Sequence, residues 1–354
     1  MDRRVERLND ANAEKWEEFN RNSAEGSFFH SLKWKQIAER DPAFKPDYYL
    51  FFKDDAVSGI FPFVETNVHP FRGLVPSTNP HRLHGILDDY NDPDSIHYII
   101  TELKKMNRHP KSISFLCLST LHQQVTDNIH QYSIFPYAND GHQVLDLSEC
   151  PPEEIWRSFS AKRGQRKFIR RFDENGFRVA EVHSRDDLQL FYQYYRENVN
   201  YIGGTPRPFS HFTDIWDTLP SDKVRITLLM NDSIVAGGLL TIPYRPRKTV
   251  YLTYLSLNRD LPNTYHPTYY LWWEAINWAW DNHYEKIFFG AQQLDQENPR
   301  YRIKSEFAAE FQPIYSKMIP LTRIFSMGIT LKRKMTGTPA AETGVLSDRD
   351  RRVT

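Results

Sequence analysis

Two stretches of this chain read as the same strand–turn–strand unit. Tyr48-Tyr49-Leu50-Phe51-Phe52 is a β-prone apolar run, Lys53-Asp54-Asp55 is turn chemistry, and Val57 to Val64 reads as the returning strand. Later, Val224 to Met230 reads as a strand, Asn231-Asp232 as the turn, and Ile234 to Ile242 as the return. Phe52 to Ile60 aligns with Met230 to Gly238 without a gap, offset by one residue at the tip. Each copy follows helical segments and precedes further strands. A chain that repeats one hairpin in one context is expected to fold as two similar halves. Its 354 residues suit two domains at roughly 150 residues each. The strand Val144 to Leu147 runs into Cys150-Pro151-Pro152, where a double proline ends it and opens a helix. The expected domains are therefore residues 1–150 and 151–335. Residues 336–354 hold no aromatic residue and much turn chemistry, and read as a disordered tail.

Composition narrows the function. Lys+Arg and Asp+Glu both number 45, so the formal net charge is zero and any anionic partner must be met by a local patch. Cys117 and Cys150 are the only cysteines, too few for a disulfide framework. The N-terminal stretch lacks the apolar core of a signal peptide, and no run of about 18 apolar residues occurs. The expectation is a soluble, cytoplasmic α/β protein.

Four segments carry chemistry. Lys162, Arg163, Arg166, Lys167, Arg170 and Arg171 crowd one predicted helix with no acid among them. Arg163/Lys167 and Arg166/Arg170 are pairs four apart that share a face. The helix serves as a phosphate patch or as a solvated face paired with acids elsewhere; Asn175-Gly176 ends it. Gly203-Gly204-Thr205-Pro206-Arg207-Pro208 is a stiff loop that presents an Arg between prolines, suited to bidentate phosphate or carboxylate recognition or simply exposed on a turn. His266-Pro267 opens a ring-rich helix whose first N–H groups are free to meet an anion, with His266 a base or a structural hydrogen-bonder. Finally Lys304 follows the strand Lys286 to Gly290, placed either to stabilise a developing oxyanion or to pair with Glu306 or Glu310. A Walker-A loop, a Gly-x-Gly-x-x-Gly turn and a Gly-x-Ser-x-Gly elbow are all missing, and His81-x-x-His84 alone makes no zinc site.

In order and spacing these pieces resemble the Fem family of non-ribosomal peptidyl transferases, within the GNAT-like acyltransferase superfamily. The resemblance runs over roughly residues 15 to 320. It covers Phe28 to Trp34, the basic helix Lys162 to Arg171, Gly204-Thr205-Pro206-Arg207-Pro208, Tyr254, Asn263-Thr264-Tyr265, and Tyr301-x-Ile303-Lys304-x-x-Phe307, where Ile303 replaces the Phe of a Phe-Lys-x-x-Phe signature. It implies two tandem GNAT-like domains, each a mixed twisted sheet with flanking helices. It implies that Arg207 contacts an acceptor diphosphate, with Thr205, His211 and Tyr265 lining the acceptor groove. Tyr254 then faces the reacting groups, and Lys304 stabilises the transition state and orients the tRNA end. Lys162, Arg163, Arg166, Lys167 and Arg170 would meet phosphates of tRNA or acceptor. The long helical arm of some relatives does not fit between Ser184 and Thr249. The segment Leu257 to Pro262 lacks the Gln/Arg-x-x-Gly-x-Gly/Ala turn with which GNAT enzymes hold the CoA pyrophosphate.

The implied activity is transfer of an acyl or aminoacyl group to an amine of a cell-wall or envelope precursor. No tightly bound cofactor and no metal are expected; aminoacyl-tRNA or acyl-CoA is the co-substrate. The expected partners are tRNA and a nucleotide- or lipid-linked precursor, with peripheral membrane contact compatible. An acyl-CoA N-acetyltransferase acting on a polysaccharide or small molecule, and a non-catalytic tRNA- or polyphosphate-binding module, are the alternatives.

Overall fold

The computed structural model describes residues 2–41, 45–68, 71–76, 85–106, 113–129, 135–160, 164–262 and 264–322. The chain divides into two compact units, one of residues 1–141 with the segment from Gln312 on, and one of residues 142–311. The expected tail, residues 336–354, lies outside the described residues.

The first unit contains β1 (Arg3–Arg7), α1 (Ala13–Asn22), α2 (Leu32–Arg40), β2 (Lys45–Lys53), β3 (Ala56–Val68), β4 (Phe71–Pro76), β5 (Ile86–Leu87), α3 (Pro93–Met106), β6 (Ile113–Thr120) and α4 (Gln123–Asn128). β7 (Phe135–Asp146) leads into the second unit. There follow α5 (Pro152–Ser158), α6 (Gln165–Glu174), β8 (Arg178–Glu181), α7 (Arg185–Tyr201), α8 (Phe209–Thr218), β9 (Arg225–Met230), β10 (Val235–Tyr244), β11 (Thr249–Leu257), α9 (Pro267–Asp281), β12 (Lys286–Gln293) and α10 (Pro299–Glu306). β13 (Glu310–Pro320) returns to the first unit.

Sheet order in the first unit is β1-β2-β3-β4-β6-β13, with β5 paired to β3. In the second it is β7-β12-β11-β10-β9-β8. Each unit has one central parallel pair, β4 with β6 and β11 with β12. Both faces of the first sheet are buried. Tyr48, Leu50 and Phe52 pack with Trp16 of α1, while Tyr49 and Phe51 pack in the cluster with Ile96, Ile99 and Leu103 of α3. That explains why β2 reads as an unbroken apolar run instead of an alternating one. The second core gathers Leu271, Trp272, Ala275 and Ile276 of α9 against Leu239, Val250 and Leu252 of the sheet.

The duplication is written in the backbone. In β2/β3, Phe52 pairs with Val57 and Phe51 with Gly59, so Ser58 is an extra residue in the ladder. In β9/β10, Met230 pairs with Val235 and Leu229 with Gly237, so Ala236 is the extra residue. These are the aligned positions of the two hairpins. Each bulged residue offers its carbonyl to the residue just past a strand paired with its own, β5 in the first unit and β11 in the second: Asp88 N–H to Ser58 O at 3.0 Å, Asn258 N–H to Ala236 O at 3.1 Å. The glycine after each bulge faces a passing carbonyl, and at Gly59 the Leu87 side chain stands nearer still, 2.7 Å from where a Cβ would be. A Cβ on Gly59 would stand 3.0 Å from Ile86 O, and one on Gly237 would stand 2.5 Å from Ser256 O. The turns differ: Asp54 and Asp55 both take positive φ, 48° and 66°, in a two-residue connection.

The division between units falls after Gly141, not at 150. Pro151-Pro152 does open a helix, α5. β7 nevertheless already belongs to the second unit from His142, where Gln143 and Leu147 bond to partners beyond residue 280. β13 pairs with β6, Tyr315 to Thr120 through Pro320 to Phe115, so the strand beyond Gln312 belongs to the first unit instead of closing the second. Such long-range pairing leaves no local mark in the sequence.

Gly237→Ala is expected to destabilise the second unit by about 1–3 kcal/mol, because the clash is with backbone that cannot move aside. Urea unfolding checks this; an unchanged midpoint would contradict the assigned register.

Candidate active site

β11 and β12 run parallel and pair at Thr249↔Lys286, Val250↔Ile287 and Tyr251↔Phe288. Beyond that the two strands form no ladder pair among the described residues, although β11 continues to Leu257 and β12 to Gln293. A register shift between Leu240 and Thr241 leaves Thr253 as an extra residue in β11, and Gly290 of β12 takes φ 88°. Both irregularities bend the strands apart. One edge of residues 252–257 bonds to β10; the other forms no ladder with β12 among the described residues. In the first unit the split is stitched, with Gly85 N–H donating to Ser119 O at 3.2 Å. There, too, the Asp92 carboxylate occupies the start of α3, accepting from Ser95 N at 3.1 Å and pairing with Lys53. Ser95 and Lys53 hold Asp92 far below the usual carboxylate range. An anion has no place at that helix end. In the second unit α9 starts at Pro267 with no side-chain cap.

Tyr254 sits in the parted section of β11, 7% exposed. Its hydroxyl is 2.7 Å from Nε2 of His211 on the first turn of α8. Burial, with Arg207 nearby, lowers the His211 pKa to about 3, so the ring is neutral at pH 7. Tyr195 and Phe212 close around Tyr254, with ring centres 5.6 and 5.0 Å away. Arg207 donates its backbone N–H to Tyr195 Oη at 3.1 Å, which ties the Pro-Arg-Pro loop to α7. Thr205 is exposed in the same loop.

Lys304 lies on α10, whose first turn is set by Asn298 and Pro299. It is 8% exposed and makes no side-chain hydrogen bond or ion pair among the described residues. Glu306 instead accepts from Tyr269 Oη at 2.6 Å, and Glu310 is exposed. Burial first, and Arg300 one turn earlier second, lower the Lys304 pKa to about 7. α10 is held by fully buried Gln143, whose Nε2 donates to Tyr301 O at 3.2 Å and Ser305 Oγ at 2.9 Å. Gln143 Oε1 accepts from Gln292 at 2.6 Å.

Asn198 of α7 fastens to the end of β11. It donates to Leu255 O at 3.0 Å, next to Tyr254, and accepts from Arg259 Nε at 3.0 Å. The Arg259 guanidinium stacks 4.5 Å from the Tyr201 ring. Tyr195, Asn198, Gln143, Arg259 and Arg300 carry no motif signal, because their partners are distant in sequence.

The structure thus brings Arg207, His211 and Tyr254 together and sets Lys304 beside Arg300. Tyr265 is apart from both, packed on Phe172 and Phe177 under the Arg171 guanidinium. Lys162, Arg163, His81 and His84 lie outside the described residues. In the basic helix, Arg166 donates to Trp156 O at 2.9 Å and Arg157 O at 2.8 Å, capping α5. Lys167 and Arg170 are exposed, Arg170 over the Trp156 ring. None of these cations forms an ion pair among the described residues, unlike a solvated face paired with acids. No group of three His, Cys, Asp or Glu side chains able to hold a metal occurs among the described residues. No described helix is long and apolar enough to cross a membrane.

Residues 160–301 match the family model of the acetyltransferase (GNAT) domain. The crystal structure of FemX is similar over 93% of this chain and 99% of its own, with a TM-score of 0.68 and 12% identity. A tandem GNAT protein from the clavulanic acid biosynthesis pathway gives 0.59 over 91% and 99%, at 10% identity. The L-PGS of Bacillus licheniformis gives 0.53 over 81% and 88%, at 11% identity. No curated protein matches the chain. The fold is a tandem one of the Fem-type, GNAT-like acyltransferase kind.

A buried ammonium without a counter-ion costs stability. Lys304→Met is expected to stabilise the protein by about 1–3 kcal/mol near neutral pH. The gain is full below pH 7, where the native ammonium is charged, and fades toward the ordinary lysine value of 10.5, since only the unfolded chain holds the proton in between. Thermal unfolding of both proteins across this range checks it; a destabilised variant would mean that Lys304 has a structural partner.

Proposed function

We propose that the second unit transfers an acyl or aminoacyl group from an activated donor to an amine. The observation that carries this reading is the Tyr254–His211 pair on the section of β11 that β12 leaves open. The donor lies along that open edge. The lone pair of the acceptor nitrogen forms a bond to the donor carbonyl carbon, and the C=O π pair passes onto the carbonyl oxygen. The Lys304 ammonium stabilises that oxyanion in a dry setting where one charge counts for much. Collapse expels an alcohol or thiol, which takes a proton from the Tyr254 hydroxyl. The proton that the attacking amine loses returns through neutral His211 to Tyr254. Positioning supplies most of the remaining acceleration, so no nucleophilic triad is needed.

The donor is aminoacyl-tRNA or acyl-CoA, and the acceptor is an amine on a nucleotide- or lipid-linked cell-wall or envelope precursor handled in the cytoplasm. Support comes from the similarity to FemX and L-PGS, from the unneutralised Lys167 and Arg170, and from Arg207 in its tethered loop. Thr205 and Tyr265 remain acceptor-side assignments. A module that only binds polyphosphate has no use for a neutral His–Tyr pair or a buried lysine.

Single-turnover transfer from charged tRNA and from acetyl-CoA to amine acceptors tests the reading. Tyr254→Phe is expected to slow transfer by about 10²–10⁴-fold with the fold intact. The wild-type rate should fall as pH rises through about 7, where Lys304 loses its proton, and Lys304→Arg should flatten that limb. An unaltered rate in Tyr254→Phe would remove the pair from the mechanism.

A further inference from the structure

Lys304 is the one fully buried residue of α10, a helix of 8 residues. Of the apolar side chains on that helix, Ile303 packs on the core of the second unit, and only in part. A surface helix ordinarily turns its apolar stripe inward. This one turns a cation inward, and burying an unpaired ammonium is unfavourable. The hydrophobic effect therefore does not set the rotation of α10; polar contacts do. Gln143 of β7 supplies them. It is fully buried, and its Nε2 donates to Tyr301 O at 3.2 Å and to Ser305 Oγ at 2.9 Å. Ser305 Oγ in turn donates to Tyr301 O at 3.2 Å, which closes the three groups into one cluster. Ser305 is the residue next to Lys304, so the clamp fixes the helix where the lysine leaves it. Only the NH₂ of an amide can donate to a carbonyl, so Oε1 of Gln143 faces the other way and accepts from Gln292 Nε2 at 2.6 Å. Gln292 lies on β12 beyond Phe288, past the last pair with β11. The chain Gln292–Gln143–α10 thus ties the parted section of β12 to the helix that carries Lys304. Phe307, fully buried against Trp272 and Phe289, holds the end of that helix; Gln143 holds its middle.

We propose that Gln143 is a positioning residue: by clamping Tyr301 and Ser305 it keeps Lys304 in its dry setting and aims the ammonium at the reacting carbonyl. The aim rests on the reaction proposed above; the dry setting does not. Without the clamp α10 is free to turn, water reaches Nζ, and the lysine regains its ordinary proton affinity. Arg300 is the one charged group that acts on Lys304 among the described residues, and it opposes the proton, so no carboxylate competes with this effect.

The test follows the Lys304 side chain itself. In protein carrying carbon-13-labelled lysine, the Cε signal that vanishes in Lys304→Arg reports its titration without turnover. Wild type should titrate at about 7. Gln143→Met keeps the volume and loses every bond, and should move the midpoint up by about one pH unit or more. Ser305→Ala removes one of the two bonds at an exposed residue and should move it the same way by less. That variant carries the test if Gln143→Met does not fold, which circular dichroism reports. In single-turnover transfer, Gln143→Met should cost about 10²-fold, with the falling limb carried to higher pH by as much as the titration. A merely structural role would leave midpoint and limb where they are. An unmoved midpoint in a folded variant would overturn the proposal. A raised midpoint in a protein that transfers nothing from any donor would leave the clamp standing and refute the proposed reaction.

Discussion

The parting of β11 from β12 is the constraint on which the site depends. A parallel pair that stayed zipped would consume the main-chain groups of residues 252–257 and leave Tyr254 under a neighbouring strand. An extra residue at Thr253 and the left-handed backbone at Gly290 open the pair just past Tyr251 and Phe288. Everything that holds the opening is then long-range. Asn198 fastens to Leu255 O from α7, Tyr195 fastens to the Arg207 loop, and Gln143 fastens α10 from β7. The cost of an open edge and of a buried ammonium is borne by these satisfied polar contacts and by the aromatic packing of α9.

The two units show what the duplicated framework fixes and what it leaves free. Both keep the bulged hairpin, the glycine beneath a passing carbonyl and the helix that starts at a proline. They differ where a ligand would sit. The first unit closes its split with a main-chain bond and fills its helix start with Asp92. The second has no ladder pair past Tyr251 and Phe288 among the described residues, and no side-chain cap at the start of α9.

The parts of this architecture that were legible in the sequence are those with local causes. Asn175-Gly176 does stop α6, and Pro152 and Pro267 do start helices. The hairpins were readable because turn chemistry and apolar runs alternate within about ten residues. Lys304 and Tyr254 stand out in the sequence only by their place in an ordered set of motifs. The burial of Lys304 was not legible, because it follows from how Gln143 docks α10. His211 and Tyr254 are 43 residues apart, and no spacing rule joins them. The basic helix illustrates the converse. Six cations between Lys162 and Arg171 advertise a phosphate patch, yet Arg166 serves as a carbonyl cap for α5, a role that only the packing of two helices defines.

The most direct test of the central claim is amide hydrogen exchange with and without a bound donor analogue, either a non-hydrolysable aminoacyl-RNA or an acyl-CoA thioether. If the donor lies along the open edge of β11, exchange at Leu252 to Leu257 slows on binding, while Ile113 to Thr120 in the first unit is unchanged. Slowing confined to Ile113–Thr120, or none at β11 with the analogue bound, would contradict the account.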